Sequence, residues 1–296
     1  MKKLIYSSYV FLIVALSQTS CIHSENDSFL KEDVSEYESA FLKVLAFGNG
    51  GFGTQTRKDV AFEMKKICYD QGCDMGIMLG NMVPKNKTFR NGSLAKSFNR
   101  IYGSLHIKLY NANGLHEANK KQDIFEEFYQ NSNWWEMPSS YYDFKRGDIH
   151  FFSLDTVDFS DAQKQWLEDK LERSDALWKV VYGHHPIISF GKKGNNPELV
   201  GNLLSVLCEY ADLYVASHEL DQQVIQSECG LPMIISGTAS KTHKTGKGAG
   251  SLFSGSQPGF SRLEFKKNSI SYNVYGLSDK RGSAKIIHSG TFNRRE

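Results

Sequence analysis

Net charge is nearly absent from this sequence: 35 Lys and Arg stand against 33 Asp and Glu, leaving +2. So small a surplus excludes a charge-driven nucleic-acid binder, and no basic stripe with interleaved aromatics is present. Long apolar runs are equally scarce. Beyond residue 16 no segment is apolar enough to cross a bilayer, which needs roughly 20 such residues, so no integral membrane segment is expected in the mature chain. Cysteine is sparse too, with five in 296 residues. Cys68, Cys73, Cys208 and Cys229 lack the spacing of a zinc site.

What is there begins at the amino terminus. Lys2 and Lys3 precede an apolar run from Leu4 to Leu16, and Ala15-Leu16-Ser17 follows with small residues suited to a signal peptidase. A cleaved signal peptide over residues 1–20 is predicted, with an uncleaved anchor as the alternative. Residues 21–40 read as an acidic, polar lead-in, and 41–296 as one folded domain. A secretory or extracellular location follows from the signal. Export permits the four later cysteines to oxidise; three pairings are possible, and Cys68 with Cys73 plus Cys208 with Cys229 is the most local. Asn26, Asn86 and Asn91 head glycosylation sequons, predicting a glycoprotein in a eukaryotic host.

Short buried strands are predicted at Phe41–Phe47, Met75–Leu79, Leu105–Tyr110, Ile149–Leu154, Trp178–Tyr182 and Leu213–Ala216. Helical spacing covers residues 57–70, 161–173 and 199–210, and Phe260–Tyr275 alternates like an antiparallel pair turning at Lys266-Lys267-Asn268. Strands alternating with helices imply a largely parallel sheet covered on both faces, with function in the loops at the strands' carboxyl ends.

The first such loop, Gly48-x-Gly50-x-x-Gly53, matches a dinucleotide-binding turn and so an oxidoreductase. That reading needs an acidic residue closing the second strand, where Gly80-Asn81 stands instead. Taken together the loops say something else. Gly48-Asn49-Gly50-Gly51, Leu79-Gly80-Asn81, Asn111-Ala112-Asn113-Gly114, Gly183-His184-His185-Pro186 and Ser217-His218-Glu219-Leu220 each follow a strand, in that order. The series resembles the metallophosphoesterases, the calcineurin-like superfamily, and within it the purple and tartrate-resistant acid phosphatases. Phe152-Ser153-Leu154-Asp155-Thr156 and Gln165-Trp166-Leu167 extend the resemblance over roughly residues 42–290. It implies an α/β fold of four layers, αββα, with two mixed sheets flanked by helices.

It also implies a ligand set. Two adjacent cations that clamp phosphate and activate water need anionic donors, above all a bridging carboxylate. Carried onto this chain, the ferric-site aspartate falls on Asn49, the bridging aspartate on Asn81, the tyrosine on Pro84 and the last histidine on Leu220. The catalytic histidine of the third motif falls on Gly114. What remains belongs to the divalent site: Asn113, or Asn111 if that loop shifts, with His184 and His218. His184 and Lys192 stand as weak catalytic candidates, Lys192 and Lys193 lying where some relatives place a further histidine. No binuclear iron centre is expected; the cofactor is none, or one weakly held Zn, Mn or Fe. The bland alternative makes His184 and His218 backbone-bonded loop histidines and the asparagines turn residues.

Two functions follow from the resemblance. The first is a catalytically weak or inactive phosphatase homologue that binds or scaffolds an unidentified protein partner. The second is an acid phosphatase acting on phosphate monoesters, or another phosphate-bearing ligand, through the remnant divalent site.

Overall fold

The computed structural model describes residues 41–85, 92–118, 121–278 and 283–295, without the side chains of 121–123 and 125. The expected signal peptide, the lead-in and the three sequon asparagines lie outside the described residues.

In chain order the elements are β1 (Leu42–Phe47), α1 (Gln55–Gln71), β2 (Met75–Met78), α2 (Ser93–Tyr102), β3 (Lys108–Asn111), α3 (Leu115–Ala118), α4 (Lys121–Asn131) and β4 (Trp135–Glu136). There follow β5 (Tyr142–Arg146), β6 (Ile149–Ser153), α5 (Asp161–Glu172), β7 (Trp178–Tyr182), α6 (Pro197–Asn202), α7 (Leu204–Tyr210) and β8 (Leu213–Ala216). The chain finishes with β9 (Gln222–Gln226), β10 (Pro232–Ser236), β11 (Ser251–Gly255), β12 (Gly259–Phe265), β13 (Ser269–Leu277) and β14 (Ala284–Asn293).

Two seven-stranded sheets result, ordered β14-β13-β12-β1-β2-β3-β4 and β11-β9-β10-β8-β7-β6-β5. Both are mixed: β1–β4 are mutually parallel, as are β6, β7, β8 and β10, and antiparallel strands complete each sheet. The first order differs from the 3-2-1-4-5-6 of a dinucleotide-binding sheet. The Gly48–Gly53 run forms a 3₁₀ turn at Gly50–Phe52 before Thr54 caps α1 by accepting from the Arg57 N–H. Its glycines serve close packing. A Cβ on Gly48 would meet Ser217 at 2.5 Å, and one on Gly51 would meet the Val83 carbonyl oxygen at 2.2 Å. The oxidoreductase reading is therefore displaced.

Strand alternation sorts the core into layers. Val44 and Ala46 of β1 and Ile77 of β2 point inward against Phe151, Val180, Tyr182, Val215 and Ile234 of the second sheet. Leu45 and Phe47 point outward under α1, α2 and α4, meeting Val60, Met64 and Phe98. Phe152 and Val181 face outward on the other side, against Leu167 and Leu171 of α5 and Leu207 of α7. The product is helix, sheet, sheet, helix, as the resemblance implied.

Burying apolar surface at about 25 cal/mol per Å² drives this stacking. Two disulfides staple it, Cys68–Cys73 at the end of α1 and Cys208–Cys229 between α7 and the β9–β10 turn. The single helix expected over 199–210 is broken at Leu203, whose φ of −116° leaves the helical range next to the poor helix formers Gly201 and Asn202.

Candidate metal centre

The carboxyl ends of β1, β2, β3, β7 and β8 bring five loops to one place. Backbone conformation sets their aim: Asn49, Asn81 and His218 sit at φ 60°, 56° and 62°, the left-handed region that asparagine tolerates better than most residues.

Buried backbone groups fix the polarity of each side chain. Asn49 Nδ2 faces two carbonyl oxygens, of Glu219 at 3.2 Å and Gly237 at 3.1 Å, so its Oδ1 must be the atom turned to Asn81. The Asn81 Oδ1 accepts from the His116 N–H at 2.9 Å, which leaves Asn81 Nδ2 to donate to Asn49 Oδ1 at 3.0 Å and His184 Nε2 at 3.1 Å. The His184 Nδ1 donates to the Leu79 carbonyl at 2.8 Å, so Nε2 carries the lone pair. A second imidazole nitrogen, His218 Nδ1, lies 3.1 Å from it. Lys193 Nζ is 3.1 Å from that same nitrogen and donates to the His218 carbonyl at 2.9 Å.

Two buried carboxylates hold the loops around this chain of contacts. Glu117 accepts from the N–H groups of Asn81 (2.8 Å), Met82 (2.7 Å) and Val83 (3.2 Å). Glu219 accepts from those of Lys193 (2.7 Å) and Gly194 (3.0 Å) and from Ser189 Oγ (3.2 Å). Thr156 Oγ1 receives the His184 and His185 N–H groups. Spacing to the ligand motifs gave no sign of Glu117 or Glu219, because both act on backbone rather than on the site's centre.

Electrostatics follow burial. His184 is held well below the usual imidazole value by burial, then by His185 and His218. Burial lowers His218 to about 3, with His185 and Lys193 adding to the effect. Burial also lowers Lys193, against the pull of Glu219. Glu117 is pushed up to about 7 by burial, which outweighs the backbone N–H groups that donate to it. The imidazoles are thus neutral at pH 7, the form that can ligate a cation.

Gly114, the residue after Asn113, and His184 both border Gly80. A Cβ there would lie 2.8 Å from the Cα of Gly114 and 2.9 Å from His184 Nδ1. Asn113 Nδ2 donates to Asp155 Oδ2 at 2.8 Å, and its buried Oδ1 has no hydrogen-bond partner among the described residues. Asn111 turns elsewhere, its Nδ2 donating to Met137 Sδ. Pro84 and buried Leu220 offer no donor. Lys192 and Lys193 are both exposed, and of the two it is Lys193 whose Nζ reaches His218.

Ring nitrogens of His184, His185 and His218 lie within 4.8 Å of one another, a cluster that can hold one divalent ion. Two nitrogens on one tetrahedral zinc stand roughly 3.3 Å apart, near the 3.1 Å between His184 Nε2 and His218 Nδ1. Asn113 Oδ1 is a buried oxygen left without a hydrogen-bond partner among the described residues. Amide and ammonium N–H groups face these imidazoles, whereas a pair of adjacent cations is held by anionic oxygens.

Comparison with known proteins places the chain. The calcineurin-like phosphoesterase family model matches residues 54–222. Purple acid phosphatase 7 of Arabidopsis thaliana is 28% identical over 247 residues, spanning 72% of this chain and 74% of the relative. Tartrate-resistant acid phosphatase type 5 of Sus scrofa is 27% identical over 133 residues, 36% of this chain and 39% of that protein. Among solved structures, GAP50, the anchor in the inner membrane complex of Plasmodium, superposes with a TM-score of 0.75 at 20% identity, over 86% of this chain and 89% of its own. A dimetal phosphatase from Danio rerio gives 0.59 at 12% identity, over 86% of this chain and 99% of its own. Fold, loop order and family match agree: the chain belongs to the calcineurin-like phosphoesterase family and is distantly similar to the purple acid phosphatases.

Proposed function

We propose that this protein is a purple-acid-phosphatase-like member of the family with an eroded two-metal site and little or no turnover, acting as a secreted binding or scaffold protein. The observation that carries the reading is the amide polarity at Asn49 and Asn81. Backbone partners turn the neutral Asn49 Oδ1 toward Asn81, and turn the Asn81 N–H₂ toward Asn49 Oδ1 and His184 Nε2. Where a pair of cations needs negative oxygens, position 81 therefore presents a donor and position 49 an uncharged oxygen, and removing even one anionic ligand weakens a metal site about 10-fold or more. Support from likeness is of fold only: the similar Plasmodium protein is described as an anchor.

A second reading rests on the unpartnered, buried Asn113 Oδ1 and on the close pair of imidazole nitrogens of His184 and His218. One divalent ion held by Asn113, His184 and His218 supplies Lewis-acid polarisation of a phosphoryl oxygen. The chain's own residues contribute orientation: Asp155 grips Asn113, and the Leu79 carbonyl holds the His184 tautomer.

Hydrolysis of an aryl phosphate by the purified mature chain, from pH 5 to 7 with added zinc, manganese or iron, decides between them. Background rates with every metal are expected. Turnover of about 1 s⁻¹ or faster that disappears in His184→Ala overturns the proposal in favour of the single-ion phosphatase.

A further inference from the structure

The loop after β7 reads Ser189-Phe190-Gly191-Lys192-Lys193-Gly194, and two glycines decide its path. A Cβ on Gly191 would lie 2.5 Å from Asp221 Oδ2 and 2.8 Å from Glu219 Oε2, so only glycine lets the backbone cross these carboxylates. Gly194 takes φ +73°, a turn open to glycine at no steric cost. Between them Glu219, which is fully buried, accepts the N–H groups of Lys193 and Gly194 through one oxygen. The clamp turns the Lys193 side chain back over β8, where Nζ meets both the carbonyl and Nδ1 of His218.

The direction of that last contact is settled by chemistry. An ammonium has three N–H donors and no lone pair, so His218 Nδ1 must be the acceptor. Asn81 Nδ2 meets the lone pair of His184 Nε2 in the same manner. Both nitrogens that a divalent ion would take are therefore answered by N–H groups of the chain, one of them charged. A divalent ion bound to His218 Nδ1 would share its position with a positive charge, and the two repel.

We propose that Lys193 is a tethered cation, positioned by Glu219, which occupies the His218 member of the His184–His218 ligand pair in place of a divalent ion, so that metal enters only as Lys193 leaves. The inference deepens the proposed function and rests on its reading of the site as one without a two-metal centre.

Zinc binding to the mature chain, followed by calorimetry and by metal analysis after gel filtration, tests it. Lys193→Met keeps the stem and removes the charge, and is expected to bind zinc at least 10-fold more tightly than wild type. Lys193→Arg, which retains a cation, should stay near the wild-type value. Equal zinc affinity in wild type and Lys193→Met overturns the inference. Should Lys193→Met fail to fold, a second measurement on the unmutated chain serves: reductive methylation read by mass spectrometry at Lys193, with exposed Lys192 as internal reference. Zinc at saturation should accelerate labelling of Lys193 several-fold, and an unchanged ratio overturns the inference. Aryl phosphate hydrolysis in the same samples separates the two claims. A metal-loaded wild type that turns over defeats the functional reading, whereas an inactive wild type with zinc affinity equal to Lys193→Met defeats only the role of Lys193.

Discussion

Asn81→Asp exchanges one N–H₂ for an oxygen, and the structure gives the cost. Asn81 Nδ2 makes two hydrogen bonds, to Asn49 Oδ1 and His184 Nε2, while its Oδ1 is already committed to the His116 N–H. The new oxygen would face an amide oxygen and an imidazole lone pair at 3.0 and 3.1 Å. Two buried hydrogen bonds become repulsions, around an uncompensated charge. Together these should cost about 3–5 kcal/mol, or roughly 10 °C in melting temperature for a domain of this size. The sign of the pH dependence follows. The buried carboxyl has its folded pKa raised above the unfolded value of about 3.9, so the stability it contributes is complete at low pH and lost as pH rises through the folded value. Urea unfolding at pH 5 and pH 8 should therefore show a larger deficit at pH 8. Zinc or manganese should relieve that deficit, because a cation turns both repulsions into ligation; at 100 times its Kd it returns about 2.7 kcal/mol. A variant as stable as wild type at pH 8 without metal, or one whose deficit ignores both pH and metal, would refute the reasoning.

Two further outcomes are expected. Glu117 has its pKa raised from 4.5 to about 7, so wild-type stability should fall by about 3 kcal/mol as pH climbs through that window. Glu117→Gln cannot ionise and should remove most of that slope in urea midpoints at pH 5 and 8; an unchanged slope places its origin elsewhere. Replacing both cysteines by serine in Cys208–Cys229, which closes a separation of 21 residues, should cost about 3 kcal/mol, against about 2 kcal/mol for Cys68–Cys73 at a separation of 5. Equal losses would put the stabilisation in local packing rather than loop closure.

The sandwich was legible because its central strands carry their own signal. Leu42–Phe47, Met75–Met78 and Trp178–Tyr182 are apolar on both faces, as strands buried between a sheet and a helix layer must be. Other strands were not. Ala284–Asn293, at a sheet edge, mixes polar and apolar residues without strict alternation, and the interior strand Gln222–Gln226 hides its burial behind three glutamines. At the site, the loop order pointed to Asn49, Asn81, Asn113, His184 and His218. It missed the clamps Glu117 and Glu219, which bind mainly backbone N–H groups that leave no trace in spacing. Between adjacent lysines, sequence had no means of choosing. Glu219 and the glycines at 191 and 194 select Lys193.

Three of the four non-glycine residues at positive φ among the described residues are Asn49, Asn81 and His218. That conformation filters mutations before any chemistry does. A side chain poorly suited to it costs of order 1–2 kcal/mol at each position, and a branched one more. Drift at positions 49 and 81 is thereby confined to a short alphabet of Asn, Asp and Gly. Asparagine and aspartate are near-identical in shape, so the step between a neutral pocket and a charged one needs a single substitution and no rebuilding of the loops. A scaffold of this kind keeps the route between the two open in both directions.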